Sequence, residues 1–362
     1  MWRLEPRPRP SRAMVLAAPA IALAATVVAG AALFAALGKD PLRGLQLFLV
    51  EPLKDAAALS ELAVKATPLV LIALGLSLCF RANVWNIGAE GQFILGAIFG
   101  GGVAMTAGAD SSRAIVLAIL AAGAAGGALW AALTALARDR FNANEILVSL
   151  MLVYVADMLL SYLVYGPWKD PQGFNFPQTV VFAEPTQVPR LAAGYRANVG
   201  VLIAAAAVAA FWVLMFRLSA GHRLRVAGLA PAAARYAGFS SRAAIWSTLT
   251  LSGAMAGLAG ALEAAGPLGQ LTPHVPAGYG FAAIIVAFVG RLHPIGVVFA
   301  AVLMSMFYLG GELAQSRLGL PKALTGVFQG LLLFALLACD TLIDFRVRRA
   351  RGRFAAGGQA GS

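Results

Sequence analysis

Residues 13–37 read AMVLAAPAIALAATVVAGAALFAAL, a run of 25 residues without a charged side chain. A helix needs about 20 apolar residues to cross the hydrocarbon core of a membrane. Four arginines precede the run: Arg3, Arg7, Arg9 and Arg12. A cleaved signal peptide also begins with basic residues, but its apolar stretch is only about 7–15 residues long. The run is therefore predicted to be a retained first membrane-spanning helix.

The composition of the whole chain also indicates a membrane protein. Of its 362 residues, 60% are hydrophobic and 12% are charged, whereas a soluble domain is about 45–50% apolar and about 25% charged. A soluble fold of this length cannot bury that much apolar surface, so lipid must cover part of it. Disordered chains, secreted disulfide scaffolds and cytosolic enzymes are excluded on this ground.

The net charge of +12 does not indicate nucleic-acid binding. Proteins that bind nucleic acid gather Lys and Arg on one soluble face, but here these residues lie in short islands between apolar runs.

Cys79 and Cys339 lie at the ends of apolar runs and are predicted to be small buried hydrophobic residues. The chain has no phosphate-binding loop, no metal-ligand spacing and no arrangement typical of nucleophilic catalysis, so it is predicted not to be an enzyme.

Nine further apolar runs follow the first: 66–80, 87–107, 114–137, 145–165, 197–218, 243–263, 279–290, 295–313 and 323–340. Runs 66–80 and 279–290 are short and flanked by Gly, Pro or Asn, so they are either tilted spans or re-entrant segments. The predicted fold is all-α: a polytopic transmembrane helix bundle of about ten spans, with eight or nine as the alternative.

The distribution of positive charge predicts the orientation of these spans. With the N-terminus inside, the inside segments hold 18 Lys and Arg in 77 residues, and cytoplasmic loops carry such an excess. An even number of spans then places both termini in the cytoplasm. The predicted domains are a basic tail (1–12), a transmembrane domain (13–340) with a cytoplasmic loop (217–242), and a second basic tail (341–362).

Ten spans divide into two halves of five with opposite topology. Inverted repeats with broken helices near the middle of the membrane are typical of transporters.

Glycines also recur at a spacing of four, which lets helix backbones approach closely. These pairs are Gly96 and Gly100, Gly123 and Gly127, and Gly253 and Gly257.

Five carboxylates fall inside or at the edge of apolar runs: Glu90, Glu145, Asp157, Glu263 and Glu312. A carboxylate at the centre of a membrane helix costs about 2.5–3.5 kcal/mol, so it usually faces a bundle interior or a water-filled cavity. The three acids near span ends are interpreted as helix–helix hydrogen bonds or caps. Asp157, deep in its run, and Glu90, in a polar glycine-containing turn, are predicted to line a polar pathway.

The loop 217–242 is predicted to contain a short helix. Pro231 is suited to the first position of a helix, residues 232–236 continue it, and Gly238 can end it with a left-handed cap. Such a helix on the cytoplasmic face could lie on the membrane or dock into a groove of a partner.

Residues 80–92 read FRANVWNIGAEGQ and resemble the hallmark of permease subunits in ATP-binding cassette (ABC) importers of the branched-chain amino acid and simple-sugar superfamily. The form NIGAEGQ is most similar to the nucleoside group, which basic membrane lipoproteins serve. The resemblance continues in order through segments 142–146, 166–171, 227–238, 251–263 and 278–281.

This resemblance implies a type II importer in which two permease subunits, sister or identical, form the pore. Two ABC ATPase subunits bind ATP and magnesium, so this chain is expected to hold no cofactor itself. A lipoprotein or periplasmic protein delivers the substrate. The other expected partner is membrane lipid, with no nucleic acid, and the expected location is the bacterial cytoplasmic (inner) membrane.

Two sets of site residues follow from the polar turn, the resemblance and the short helix. The predicted substrate-pathway residues are Trp85, Asn86, Glu90, Gln92, Asp157 and Tyr279. In the family the loop that matches 228–238 is the coupling helix seated in the ATPase, and the predicted coupling residues are Gly228, Leu229, Pro231, Arg235, Tyr236 and Gly238. Trp85 either stacks on a base or sugar ring or anchors the helix at the interface.

The predicted function is uptake of a small polar solute, with nucleosides as the leading class. Simple sugars and branched-chain amino acids are the alternatives within the same family. The alternative of another class is an ion- or proton-coupled secondary transporter that uses Asp157 and Glu90 as ion sites.

Overall fold

A computed structural model describes residues 2–7 and 12–349. This part of the chain forms thirteen helices and two short strands. The elements are β1 (Trp2–Pro6), α1 (Arg12–Ala36), α2 (Pro41–Leu49), α3 (Ala56–Arg81), α4 (Ala89–Thr106), α5 (Ile115–Phe141), α6 (Glu145–Tyr165), α7 (Gly200–Phe216), α8 (Ser219–Leu229), α9 (Pro231–Tyr236), α10 (Ser241–Glu263), α11 (Tyr279–Val289), α12 (Pro294–Leu318), α13 (Leu324–Asp344) and β2 (Phe345–Arg349).

The chain divides into two compact units, of which the first takes in the residues up to Leu45 and those from Gly326 onward. In this unit α1 packs on α13: the rings of Phe34 and Phe328 lie 5.7 Å apart, and Gly30 lies directly beneath the Phe328 ring. Strand β1 pairs antiparallel with β2, from Trp2 opposite Arg349 to Pro6 opposite Phe345. The two strands therefore join both ends of the described chain in one ribbon.

The second unit, residues 46–325, is built around α3 and α10. α3 begins with an Asp55 cap, whose side chain accepts a hydrogen bond from the Ala58 backbone, and is buried over most of its length. α10 packs against α3, α4 and α5. The predicted small-residue contacts are confirmed, because a Cβ on Gly96 would overlap the Gly257 backbone and one on Gly127 would overlap that of Gly253.

The ten apolar runs all correspond to helices, but not all of these are long and apolar enough to cross a membrane on their own. Seven described helices are long and apolar enough to do so, or eight if α7 and α8, which bend by 66°, count as one broken span. The short run 66–80 is part of the 26-residue α3, so it is a full span. In the sequence, the charged residues Glu61 and Lys65 interrupt the apolar pattern of its first turns. In the structure, an ion pair of 2.9 Å with Glu312 neutralises the charge of Lys65.

The second short run, 279–290, forms the 11-residue helix α11. At about 1.5 Å per residue this helix covers roughly half of a hydrocarbon core of about 30 Å. It is therefore a half-helix that other parts of the protein must cover.

Cys79 and Cys339 are free and buried, as predicted, and no group of three metal-ligating side chains occurs among the described residues.

We expect Gly257→Ala to lower the free energy of unfolding by about 1–3 kcal/mol, because overpacking a tight core forces backbone shifts. A Cβ on Gly257 would lie 2.8 Å from the Gly127 Cα. Gly330→Ala is the matched control, since nothing lies within 4 Å of the added carbon there. The measurement is thermal unfolding of both purified variants in detergent. Equal melting temperatures would contradict the packing assigned to α10.

Candidate functional site

Two helices of the second unit begin inside the protein rather than at its surface. Residues 82–88 leave the end of α3 without helical structure, and α4 begins at Ala89. Residues 269–278 likewise precede α11, and Gly278 takes a left-handed conformation with φ of 79° just before the helix. The first amide groups of a helix have no partner within the helix, so a buried start needs acceptors from elsewhere.

Glu90 supplies these acceptors to α11. Its side chain is 3% exposed; one carboxylate oxygen accepts a hydrogen bond of 2.8 Å from the Gly278 amide, and the other accepts one from the Gly280 amide. The contact is close, since a Cβ on Gly280 would overlap the Glu90 backbone. The amino-terminal ends of α4 and α11 therefore meet at one carboxylate, which accepts hydrogen bonds that α11 cannot complete by itself.

Asn86 and Gln92 form a buried network that supports the start of α4. The Asn86 Nδ2 donates to Gln92 Oε1 at 2.9 Å and to Ser252 Oγ at 3.0 Å, and Gln92 Nε2 donates back to Asn86 Oδ1 at 3.0 Å. Asn86 Oδ1 also accepts from the Gly88 amide at 3.1 Å. Both amide side chains are buried and engaged, so they position backbone rather than face open space.

Sequence reasoning missed Ser252, Gly278 and Gly280 as parts of this site. All three lie in the segments 251–263 and 278–281 that carry the family resemblance. The only sequence signal was the pair of glycines on either side of Tyr279. Glycines so placed indicate a close backbone approach, but they do not name the partner.

The hydrogen bonds of Glu90 to the Gly278 and Gly280 amides are called the clamp below, and two predicted aromatic residues lie near it in different surroundings. Tyr279 is 1% exposed, and its ring centre lies 5.8 Å from that of Phe93 and 5.2 Å from that of Tyr308. Trp85 is 38% exposed and packs in an aromatic cluster with Phe80 and Phe288. Tyr279 thus fills buried space next to the clamp, whereas part of the Trp85 side chain is exposed.

Asp157 has a different environment from Glu90. It lies in the middle of α6, half-buried, and among the described residues it makes no hydrogen bond or ion pair. The nearby Glu90 interacts with it electrostatically. Neighbouring side chains on α6 are open: Tyr154 is 60% exposed and Met158 is 64% exposed.

The turn between α11 and α12 is tied to the end of α3. Arg81 Nε donates to the Leu292 carbonyl at 3.0 Å, and His293 Nδ1 accepts from the Ile295 amide at 3.3 Å as the cap of α12. Burial, with the positive charge of Arg81 as a second cause, lowers the pKa of His293. A neutral imidazole is required here, because only an unprotonated ring nitrogen can accept the amide hydrogen.

The loop 217–242 contains two helices, of which one was predicted. α9 runs from Pro231 to Tyr236, and Gly238 follows with φ of 79°, so the predicted proline start and left-handed glycine end are confirmed. The preceding helix α8 was not predicted. A Cβ on Gly228 would overlap the Arg81 carbonyl, so α8 lies against the end of α3.

The side chains of α9 face mainly outward. Ala234 is buried, whereas Tyr236 is 98% exposed and Pro231 and Arg235 are also exposed. Leu229, just before the helix, is 75% exposed. The short helix thus presents an aromatic and a basic side chain on its free surface, next to the aliphatic Leu229 at the end of α8.

We expect Glu90→Ala to lower both the melting temperature and solute uptake. Removing the carboxylate leaves two buried amide groups without an acceptor, at a cost of about 1–3 kcal/mol for each group. Glu90→Gln keeps one acceptor oxygen and should lose less stability. The measurement is thermal unfolding alongside uptake. A Glu90→Ala protein of wild-type stability would contradict the clamp.

Comparison with known proteins agrees with the resemblance. A profile of the family described as "Branched-chain amino acid transport system / permease component" matches residues 58–337. The glucose ABC transporter permease protein TsgB13 of Haloferax volcanii is 34% identical over 355 residues, which cover 95% of this chain and 93% of that protein. The guanosine ABC transporter permease protein NupP of Bacillus subtilis is 28% identical over 320 residues, covering 86% and 90%. The nucleoside ABC transporter permease protein NupB of Lactococcus lactis is 23% identical over 350 residues, covering 92% and 93%.

No solved structure matches the chain. The family match nevertheless runs from the first turn of α3 into α13 and includes the buried starts of α4 and α11. The relatives are permease subunits of ABC transporters, so the alternative of an ion-coupled secondary transporter is set aside. Such permeases are not enzymes, and the ATPase of an ABC transporter is a separate chain. The chain belongs to the permease family of branched-chain amino acid transport systems and is a multi-pass membrane permease subunit of an ABC transporter.

Proposed function

We propose that this chain forms one side of the pathway through which an ABC importer takes up nucleosides. The motif NIGAEGQ and the relatives named as guanosine and nucleoside permeases support this substrate class. A sugar is the second candidate, because a relative named as a glucose permease is 34% identical over nearly the whole chain. The proposed location is the cytoplasmic membrane, with both termini and the loop 217–242 in the cytoplasm.

Asp157 is the observation that supports a pathway along α6. A carboxylate in the middle of a span is costly in lipid, and no described residue neutralises it. The face of α6 that carries Asp157 is therefore proposed to border water rather than hydrocarbon. A second permease subunit, sister or identical, would enclose that water from the other side.

The chemistry around Asp157 suits a hydroxyl-rich solute with a ring. A carboxylate accepts hydrogen bonds from two sugar hydroxyls, and the exposed ring of Tyr154 offers a flat surface for a nucleobase. Trp85 has a free surface as well, and a contact with the solute there remains part of the proposal. A sugar would also form hydrogen bonds with Asp157 but would gain less binding energy from stacking on the Tyr154 ring.

Glu90, Asn86 and Gln92 are proposed to serve this pathway as positioning residues. Their polar atoms are engaged with backbone and with one another, so their effect on transport would pass through the starts of α4 and α11. Tyr279, buried beside them, is proposed to keep α11 in place by packing.

The exposed surface of α9 is proposed as the contact with the ABC ATPase. A helix of six residues transmits movement only through a few side chains set in a groove, and Tyr236, Arg235 and Leu229 are the large groups that it presents. Gly238 then returns the chain to α10, whose cap is the Ser240 side chain, which accepts a hydrogen bond of 3.2 Å from Ala243. Gly228 keeps α8 close to α3, so that movement reaches the bundle.

We expect Asp157→Asn to reduce uptake of labelled guanosine about tenfold or more, because hydrogen bonds to a charged group contribute about 1.5–3 kcal/mol. The yield of folded protein should not fall, since Asp157 makes no hydrogen bond or ion pair with a described residue that the change would break. Asp110→Asn, the same chemical change in an exposed loop, is the control. The assay uses cells that carry the complete transporter.

Two outcomes would count against this assignment. Equal uptake by the Asp157→Asn and Asp110→Asn variants would remove Asp157 from the pathway. Uptake of labelled glucose by the wild type, with no uptake of labelled guanosine or adenosine, would replace the nucleoside by a sugar as the substrate class.

We expect Tyr236→Ala and Gly238→Val to uncouple transport from ATP hydrolysis or to release the ATPase. A branched side chain at Gly238 is strained, because its positive φ favours glycine. ATPase co-purification and substrate-stimulated hydrolysis in reconstituted vesicles measure the effect. His222→Ala, an exposed change on α8, is the control. Wild-type values in both test variants would make α9 a simple connector.

A further inference from the structure

A cavity of about 470 Å³ lies between α7, α8 and the first half of α10. Along α10 its lining residues recur every three or four positions, so they share one face of the helix: Ser240, Ala243, Ala244, Ser247 and Leu251. Because most of these side chains are small, the face forms a slot rather than a packed contact. Leu78 of α3 and Leu214 of α7 line the slot from the other helices.

The length of the slot matches one leaflet of a membrane. From Ser240 to Leu251 the α10 axis rises about 16 Å, at about 1.5 Å per residue. The hydrocarbon core of a membrane is about 30 Å thick, so the slot reaches about halfway across. An apolar slot of this length suits an extended hydrocarbon chain and is poorly suited to water.

The mouth of the slot is polar and positively charged. Arg223 of α8 lines it and lies 5.9 Å from the ring centre of Phe239. Arg223 makes no ion pair with any described residue, and its side chain is exposed. The surrounding loop 217–242 contains five arginines and no acidic residue, so an incoming headgroup would meet no carboxylate from this loop.

We propose that this slot binds one anionic phospholipid, with an acyl chain along α10 and the phosphate at Arg223. Ligand sites of this volume are commonly apolar inside with a few polar groups that orient the ligand. Basic pockets between membrane helices bind anionic lipid headgroups. The bound lipid would fill the space between α8 and α10 and hold α8 in place beside the coupling helix α9. This last consequence rests on the proposed coupling role, whereas the binding site itself does not.

The test measures lipid binding to the full-length chain, purified with its co-purifying subunits. The complex is placed in nanodiscs of phosphatidylcholine with a minor fraction of phosphatidylglycerol, and retained lipids are counted by native mass spectrometry. The wild type should retain one phosphatidylglycerol per permease chain. Arg223→Gln should weaken its retention about fivefold, the value of one arginine near an anionic headgroup.

Two matched variants make the result specific. Arg225→Gln removes the same charge two positions away, at an exposed residue that does not line the slot, and should retain lipid as the wild type does. Ser247→Phe fills the slot and should abolish retention without removing a charge. Melting temperatures measured in lipid-free detergent show whether each variant is folded.

Three results would overturn the proposal. These are equal retention by Arg223→Gln and Arg225→Gln, equal retention of phosphatidylcholine and phosphatidylglycerol, and cross-linking of a cysteine at Ser247 to the ATPase in place of lipid. Loss of ATPase coupling in Tyr236→Ala with lipid retention intact would leave the site standing, so failure of the coupling role and failure of the lipid site are distinguishable.

Discussion

The second unit depends on how two helices can begin inside a membrane protein. The first amide groups of α4 and α11 cannot bond within their own helices, and lipid offers them no acceptor. The polar turn before α4 meets this need: Asn86 accepts from the backbone at Gly88, and Glu90 accepts from the backbone at Gly278 and Gly280. The same short segment thus completes the starts of both helices and joins them.

The clamp holds α4 and α11 together because the helices around it also approach closely. α10 contacts α4 and α5 through glycines on all three helices, where any added carbon would overlap backbone. Ser252 of α10 is buried, and its Oγ accepts a hydrogen bond of 3.0 Å from the Asn86 Nδ2. Backbones held at this distance cannot slide past one another without breaking packing, because interiors are dense and yield little. The polar turn and the glycine contacts therefore form one rigid frame.

The surfaces proposed for function lie where this frame leaves side chains free. Asp157 and Tyr154 are on the open face of α6, Tyr236 is on the open face of α9, and the slot beside Arg223 follows the unpacked face of α10. A permease of this kind has no chemistry of its own to perform. Its task is to connect a solute pathway to the movements of an ATPase, and a rigid frame with a few free contacts suits that task.

The sequence by itself determined the membrane class, the ten apolar helices, the family and the short helix α9, because apolar run length, charge placement and the proline and glycine signals act locally. Only the tertiary structure decided that run 66–80 continues into a full span. In the sequence Lys65 interrupts the apolar pattern, and only the folded protein shows that an ion pair with Glu312 neutralises its charge. It also decided that α11 is a half-helix, that Glu90 binds the backbone amides of Gly278 and Gly280, and that Asn86 bonds to Gln92 and Ser252. Ser252, Gly278 and Gly280 lie 166 to 190 positions away from these partners in the chain, and no local pattern specifies which distant amide a buried carboxylate will meet.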